Sequence, residues 1–149
     1  MRRETRTYTD WDGTERKETF YFNLTRAECI SLNNKTPGGL ARILEKIVNS
    51  KDTGTIQSTF EDLLARSFGI KSDDGRRLIK GKDQEYFQAF SETPAYDDLM
   101  CDLISIPGYA AEFFNEVIPT EQIKDLVDKI ETNAAALQSA GAPSIRQVK

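Results

Sequence analysis

At 149 residues, with 38% hydrophobic and 30% charged side chains, the chain has the length of one domain and the composition of an ordinary globular protein able to bury a core without staples. Its net charge of −4 hides an uneven spread: residues 83–131 hold twelve Asp or Glu against only Lys124 and Lys129, a local net of −10, which repels phosphates and argues against nucleic acid as a partner. No run approaches the roughly 18 consecutive apolar residues of a membrane span, and Met1-Arg2-Arg3-Glu4 has no apolar core behind it, so neither membrane insertion nor a secretory signal is expected.

In chain order, Thr5–Thr9 and Glu15–Leu24, rich in threonine and aromatics, read as two strands. Asp10-Trp11-Asp12-Gly13 between them supplies a turn, because glycine accepts positive φ without steric cost. A lone hairpin is marginal in water, so this one should pack on helices or recruit further strands. Thr25-Arg26-Ala27-Glu28 is a capping box, which predicts a short helix to about Leu32. Thr36-Pro37 opens the next: Leu40, Ile43, Leu44, Ile47 and Val48 follow helical periodicity and predict an amphipathic helix over 37–51. Ile56, Phe60, Leu63, Leu64 and Phe68 predict a third over 56–68, stopped by Gly69.

Ile70–Gly81 holds the turn Ser72-Asp73-Asp74-Gly75 and reads as an exposed loop, with a second small hairpin through Arg77-Leu78-Ile79 as the alternative. Tyr86, Phe87 and Phe90 stand at helical spacing, and Thr93-Pro94, Pro107 and Pro119-Thr120 each open a further helix. Ser139–Lys149 carries little apolar bulk and reads as a mobile tail. The expected fold is α+β, mainly α: a single domain over 1–138, with an N-terminal β-hairpin (1–24) packed on a bundle of about six or seven short helices (25–138), and a flexible C-terminal tail over 139–149.

Histidine is absent, which removes Ser-His, Cys-His and His-metal mechanisms together. No Cys-x-x-Cys pair and no glycine-rich phosphate loop is present. Asp97, Asp98 and Asp102 place acids one helical turn apart, a spacing that suits magnesium, but a solvated helix face with acids near its N-terminus accounts for them. Asp10–Glu15 shares part of a calcium loop yet lacks its third ligand and its distant glutamate. No catalytic residue, cofactor or metal is therefore expected, and the chain reads as a binding protein and not an enzyme. Cys29 and Cys101, far apart and each in a helix-like pattern, read as buried free thiols. Asn23-Leu24-Thr25 matches a glycosylation sequon by accident.

Two features point to contact with a partner. Trp11, at a turn tip, either folds back on the hairpin or meets another protein, since an indole is costly to leave in water. Phe113 and Phe114 project about 100° apart on a helix, so one of them looks into a different interface unless several short helices surround both. The apolar residues of the last two helices, Phe113, Phe114, Val117, Ile118, Ile123, Leu126, Val127 and Ile130, together with Trp11, are the candidate partner-binding residues. The acidic half flanking them is either a solvated face or a recognition surface for a basic or amphipathic partner.

In order and spacing, several segments resemble the tail assembly chaperones of long-tailed bacteriophages. They are Tyr8-Thr9-Asp10-Trp11-Asp12-Gly13, then Phe20-Tyr21-Phe22-Asn23-Leu24-Thr25-Arg26-Ala27-Glu28, then Pro37-Gly38-Gly39-Leu40. Phe68-Gly69-Ile70-Lys71-Ser72-Asp73-Asp74-Gly75-Arg76-Arg77 and Tyr109-Ala110-Ala111-Glu112-Phe113-Phe114-Asn115-Glu116-Val117-Ile118-Pro119 complete the set, which covers about residues 8–125. Glu116 departs from the pattern, which has a small residue there. The resemblance implies a protein of the host cytoplasm that binds the long helical tape measure protein and keeps it soluble while tail tube subunits polymerise around it. It implies departure before the virion matures and, in many members, a longer form made by ribosomal frameshift. The family has no portable active-site residues. Contact with the tail tube protein and self-association are further partners it leaves open, with no nucleic acid and no membrane. A head–tail connector or other structural tail protein, and a small acidic inhibitor of a host enzyme, are the competing readings.

Overall fold

The computed structural model describes residues 1–49 and 53–121. Met1–Ile118 form one compact unit, and Pro119 begins a second, of which only the first three residues are described.

Strands β1 (Arg2–Thr9) and β2 (Glu15–Phe22) pair antiparallel from Arg2↔Phe22 to Thr9↔Glu15. The hairpin recruits further strands, as its size requires. β3 (Phe68–Lys71) pairs with β2 through Phe22↔Phe68 and Tyr21↔Gly69, and β4 (Leu78–Ile79) pairs with β3, giving a four-stranded sheet in the order β1-β2-β3-β4. The second small hairpin is thus present, and Phe68 belongs to it and not to the preceding helix. Backbone pairing with Phe22 outweighs the helical periodicity of that side chain. Gly69 stops no helix: a Cβ there would lie 2.6 Å from Leu78 Cγ, so it is glycine because β4 crosses close above it.

Six α-helices lie among the described residues: α1 (Arg26–Lys35), α2 (Gly39–Asn49), α3 (Thr53–Ser67), α4 (Glu85–Ser91), α5 (Pro94–Ser105) and α6 (Tyr109–Val117). A 3-10 turn over 82–84 leads into α4. The capping box of α1 forms as read: the Glu28 amide donates to Thr25 Oγ1 at 3.1 Å and the Thr25 amide to Glu28 Oε1 at 2.9 Å. Thr93 caps α5 by accepting from the Tyr96 amide. Thr36 does not cap α2. Gly38 and Gly39 both take positive φ, the helix starts at Gly39, and Asn33, from the end of α1, accepts the Leu40 amide at 2.8 Å. The α1–α2 corner is therefore closed by a side chain and not by proline alone.

Phe22, Phe60, Leu63, Leu64, Leu99, Phe113, Phe114, Val117 and Ile118 are the large apolar side chains of the innermost core. Phe113 packs edge-on against Phe22 at 5.1 Å, while Phe114 packs against Phe60 at 5.3 Å. The adjacent rings thus address two parts of one core, the sheet and α3, from a single helix. Along α2, Leu40 and Ile43 are buried but Leu44 is only half-buried, so its truncation costs less than the roughly 2–5 kcal/mol of a fully buried leucine.

The inward face of β1 is not apolar. With a period of two, it presents Arg2, Glu4, Arg6 and Tyr8 to the helices. Glu4 is 8% exposed and lies 3.0 Å from both Arg2 and Arg6. Arg6 reaches Asp102 of α5 at 2.8 Å, and Arg2 reaches Glu112 and Glu116 of α6 at 3.4 and 3.2 Å. The Arg2 guanidinium also sits over the Phe113 ring, 5.2 Å from its centroid. Part of the acidity of the second half of the chain is therefore answered from within, by the arginines of the first strand. Glu116, the departure from the family pattern, takes one of these places.

Candidate functional site: an aromatic groove at the hairpin tip

The hairpin tip is built by one carboxylate. Asp10 Oδ1 accepts the amides of Asp12 and Thr14 at 2.9 Å each, and Oδ2 accepts from Arg16 Nε at 2.6 Å. The Arg16 guanidinium, followed by the Thr14 amide, holds this carboxyl below its usual range. Gly13 completes the turn at φ +86°. Asp10-Trp11-Asp12-Gly13 is thus a side-chain-organised turn.

That turn aims Trp11 outward, 79% exposed, yet the ring is not loose. Its Nε1 donates to the Glu92 carbonyl at 3.0 Å, at the junction of α4 and α5. The indole spans from the hairpin to the helices and roofs a groove of about 560 Å³, within the ~300–1,000 Å³ range of ligand pockets. The floor comes from three elements. Phe20 of β2 lies 4.6 Å from Phe90 of α4, and Phe90 stacks on Phe68 of β3 at 4.7 Å with planes 5° apart. Ile70 and Tyr86, 43% and 39% exposed, form the other walls.

The rim is acidic. Among the described residues, Asp10, Asp12 and Glu18 line it with one cation, Arg16, which is already engaged by Asp10. Tyr8 donates its phenol to Glu18; that bond, with burial, pushes its pKa up to about 12. The groove offers exposed rings around a floor of packed phenylalanines with carboxylates at the mouth, an arrangement for apolar contact bordered by positive charge.

A second, smaller cavity of about 280 Å³ lies beside α1. Its lysine, Lys80, is saturated by Glu28 at 2.7 and 2.8 Å and by the Asn23 carbonyl at 2.7 Å, so Glu28 serves both the cap of α1 and this ion pair.

The candidate partner-binding residues fall into three groups. Trp11 is exposed and lines the groove. Phe113, Phe114, Val117 and Ile118 are all buried in the core, where they close the unit. Ile123, Leu126, Val127 and Ile130 lie outside the described residues. Phe20, Phe68 and Phe90 were not anticipated as a shared floor. The alternation of Phe20 and Phe22 in β2 signals their common face, but nothing local signals that Phe68 joins them. Of the acids considered for a metal, Asp97 and Asp98 are exposed and Asp102 is taken by Arg6. Cys29 is buried as read; Cys101 is exposed, because it follows Met100 on the solvent side of α5.

No helix among the described residues is long and apolar enough to cross a membrane. A family model described as phage tail assembly chaperone matches residues 1–148. No curated protein and no solved structure matches the chain.

Proposed function

The chain belongs to the phage tail assembly chaperone family, and we propose that it binds the tape measure protein of the tail and keeps it soluble in the host cytoplasm until tube subunits cover it. It acts by binding, without catalysis or cofactor, and leaves before the virion is complete. A long amphipathic helix exposes an apolar stripe until its partners arrive, and a bound holdase hides that stripe.

The observation that carries this reading is Trp11: an indole 79% exposed and yet held by a hydrogen bond to the Glu92 carbonyl. A large ring fixed in place before binding loses little freedom on contact, and tryptophan dominates the energetics of many interfaces. Ile123, Leu126, Val127 and Ile130, at helical spacing, are proposed on pattern alone as a second apolar contribution. Phe113, Phe114, Val117 and Ile118 would serve a client only in a conformation in which α6 leaves the core.

Co-expression tests the proposal. The tape measure protein should remain in the soluble fraction and co-purify with this chain, and Trp11→Ala should weaken co-purification with the circular dichroism spectrum unchanged. Equal solubility of the tape measure protein without this chain would overturn it. Stoichiometric recovery of the chain in purified virions would instead mark a structural tail component.

A further inference from the structure

We propose that the groove roofed by Trp11 takes an amphipathic helix whose apolar stripe is flanked by lysine or arginine. This deepens the functional reading above by naming the chemistry of the client.

Three observations converge on that occupant. The floor, made of Phe20, Phe68 and Phe90, belongs to three separate elements locked ring against ring, so it does not collapse when the groove is empty. The walls keep Trp11, Ile70 and Tyr86 exposed, which a groove of about 560 Å³ would cover by admitting a few aliphatic side chains from one helix face. Among the described residues the rim holds Asp10, Asp12 and Glu18 against Arg16, and Arg16 is engaged by Asp10. The field at the mouth is therefore negative, and a helix approaching with acids beside its stripe is repelled while one carrying lysines is drawn in. The neighbouring cation Lys71 does not offset this at the mouth, since its ammonium sits over the Tyr21 ring, 5.8 Å from its centroid.

The chain contains one tryptophan, so its intrinsic fluorescence reports on the groove directly. Two synthetic helices of about 18 residues, with the same leucine stripe and either lysine or glutamate elsewhere, serve as probes. The lysine helix should shift Trp11 emission to the blue and bind at least about tenfold more tightly than the glutamate helix, with the difference shrinking as salt is raised. Asp12→Lys with Glu18→Lys should reverse the preference. Asp97→Lys with Asp98→Lys, which changes two exposed acids outside the groove, should leave it unchanged. Ile70→Glu, at an exposed wall position, should abolish binding of a labelled lysine helix, followed by anisotropy so that the readout does not depend on Trp11.

Equal binding of both helices would overturn the inference by showing that the acidic rim selects nothing, and loss of lysine-helix binding in the Asp97/Asp98 variant as large as in the Asp12/Glu18 variant would overturn it by showing charge attraction without a groove. Helix binding that is unaffected by Ile70→Glu would overturn it as well. A tape measure protein kept soluble by a chain that binds neither helix would sink this inference and leave the functional reading standing. A chain that binds the lysine helix in the groove and fails to rescue the tape measure protein would do the reverse.

Discussion

Glu4 and Tyr109, 105 positions apart in the chain, share a 2.6 Å hydrogen bond from the phenol to the carboxylate. Glu4 also receives Arg2 and Arg6, so one buried acid ties the first strand to α6 and, through Arg6 and Asp102, to α5. Glu4→Gln removes the charge while keeping the shape, and leaves two largely buried guanidinium groups without their shared counter-ion. Arg2 keeps Glu112 and Glu116 and Arg6 keeps Asp102, so the charges retain partners, and we expect a loss of about 1.5–3 kcal/mol, the range for hydrogen bonds to a charged group. A urea midpoint equal to that of the parent chain would show that the network contributes nothing.

Gly69 is held by the approach of Leu78. Gly69→Ala places a methyl group 2.6 Å from Leu78 Cγ, and overpacking of this kind costs about 1–3 kcal/mol. Leu78→Ala in the same chain opens the space. The double variant should therefore lose less than the sum of the two single losses. Additive losses would place the strain elsewhere.

Tyr8 makes the fold sensitive to alkali. Its phenol has an ordinary value of 10.0 and is raised to about 12 in the folded chain by the bond to Glu18 and by burial. The folded chain keeps a proton that the unfolded chain releases, so the stability from this group is fully present below about pH 10 and is lost as pH rises through about 12. Tyr109 and Tyr96 are also raised, chiefly by burial, and act in the same direction. Denaturation midpoints measured from about pH 9 to 12 should fall, and Tyr8→Phe should flatten part of that decline. A midpoint independent of pH over this range would rule the linkage out.

The two cysteines should differ sharply in reactivity. Cys101 is exposed, whereas Cys29 is buried and its thiol is pushed up to about 11 by burial. A thiol reagent at neutral pH should modify one site promptly in the native chain and the other only on unfolding. Cys101→Ser should remove the prompt phase. Two prompt thiols would mean that α1 opens readily.

Much of this architecture was legible in the sequence wherever the determining contacts are local. The capping box of Thr25 and Glu28, the Thr93 cap and the Asp10–Gly13 turn each depend on groups within a few residues of one another. The order of helices followed from such signals, and the family was readable from short segments, in agreement with the family model that matches residues 1–148. The absence of histidine was equally plain.

The tertiary structure alone decided what depends on distant partners. Phe68 has the spacing of a helical residue and becomes a strand residue because Phe22, far earlier in the chain, offers it a backbone. The inward face of β1 carries arginines because Asp102, Glu112 and Glu116 wait for them on α5 and α6. Phe113 and Phe114 both enter the core because Phe22 and Phe60 surround one helix from two sides. The groove needs Phe20, Phe68 and Phe90 to meet under Trp11, and no local pattern encodes that meeting. Periodicity tells which side of an element is apolar; it does not tell which other element will cover that side, since burial is non-directional and is settled only when all the faces close together.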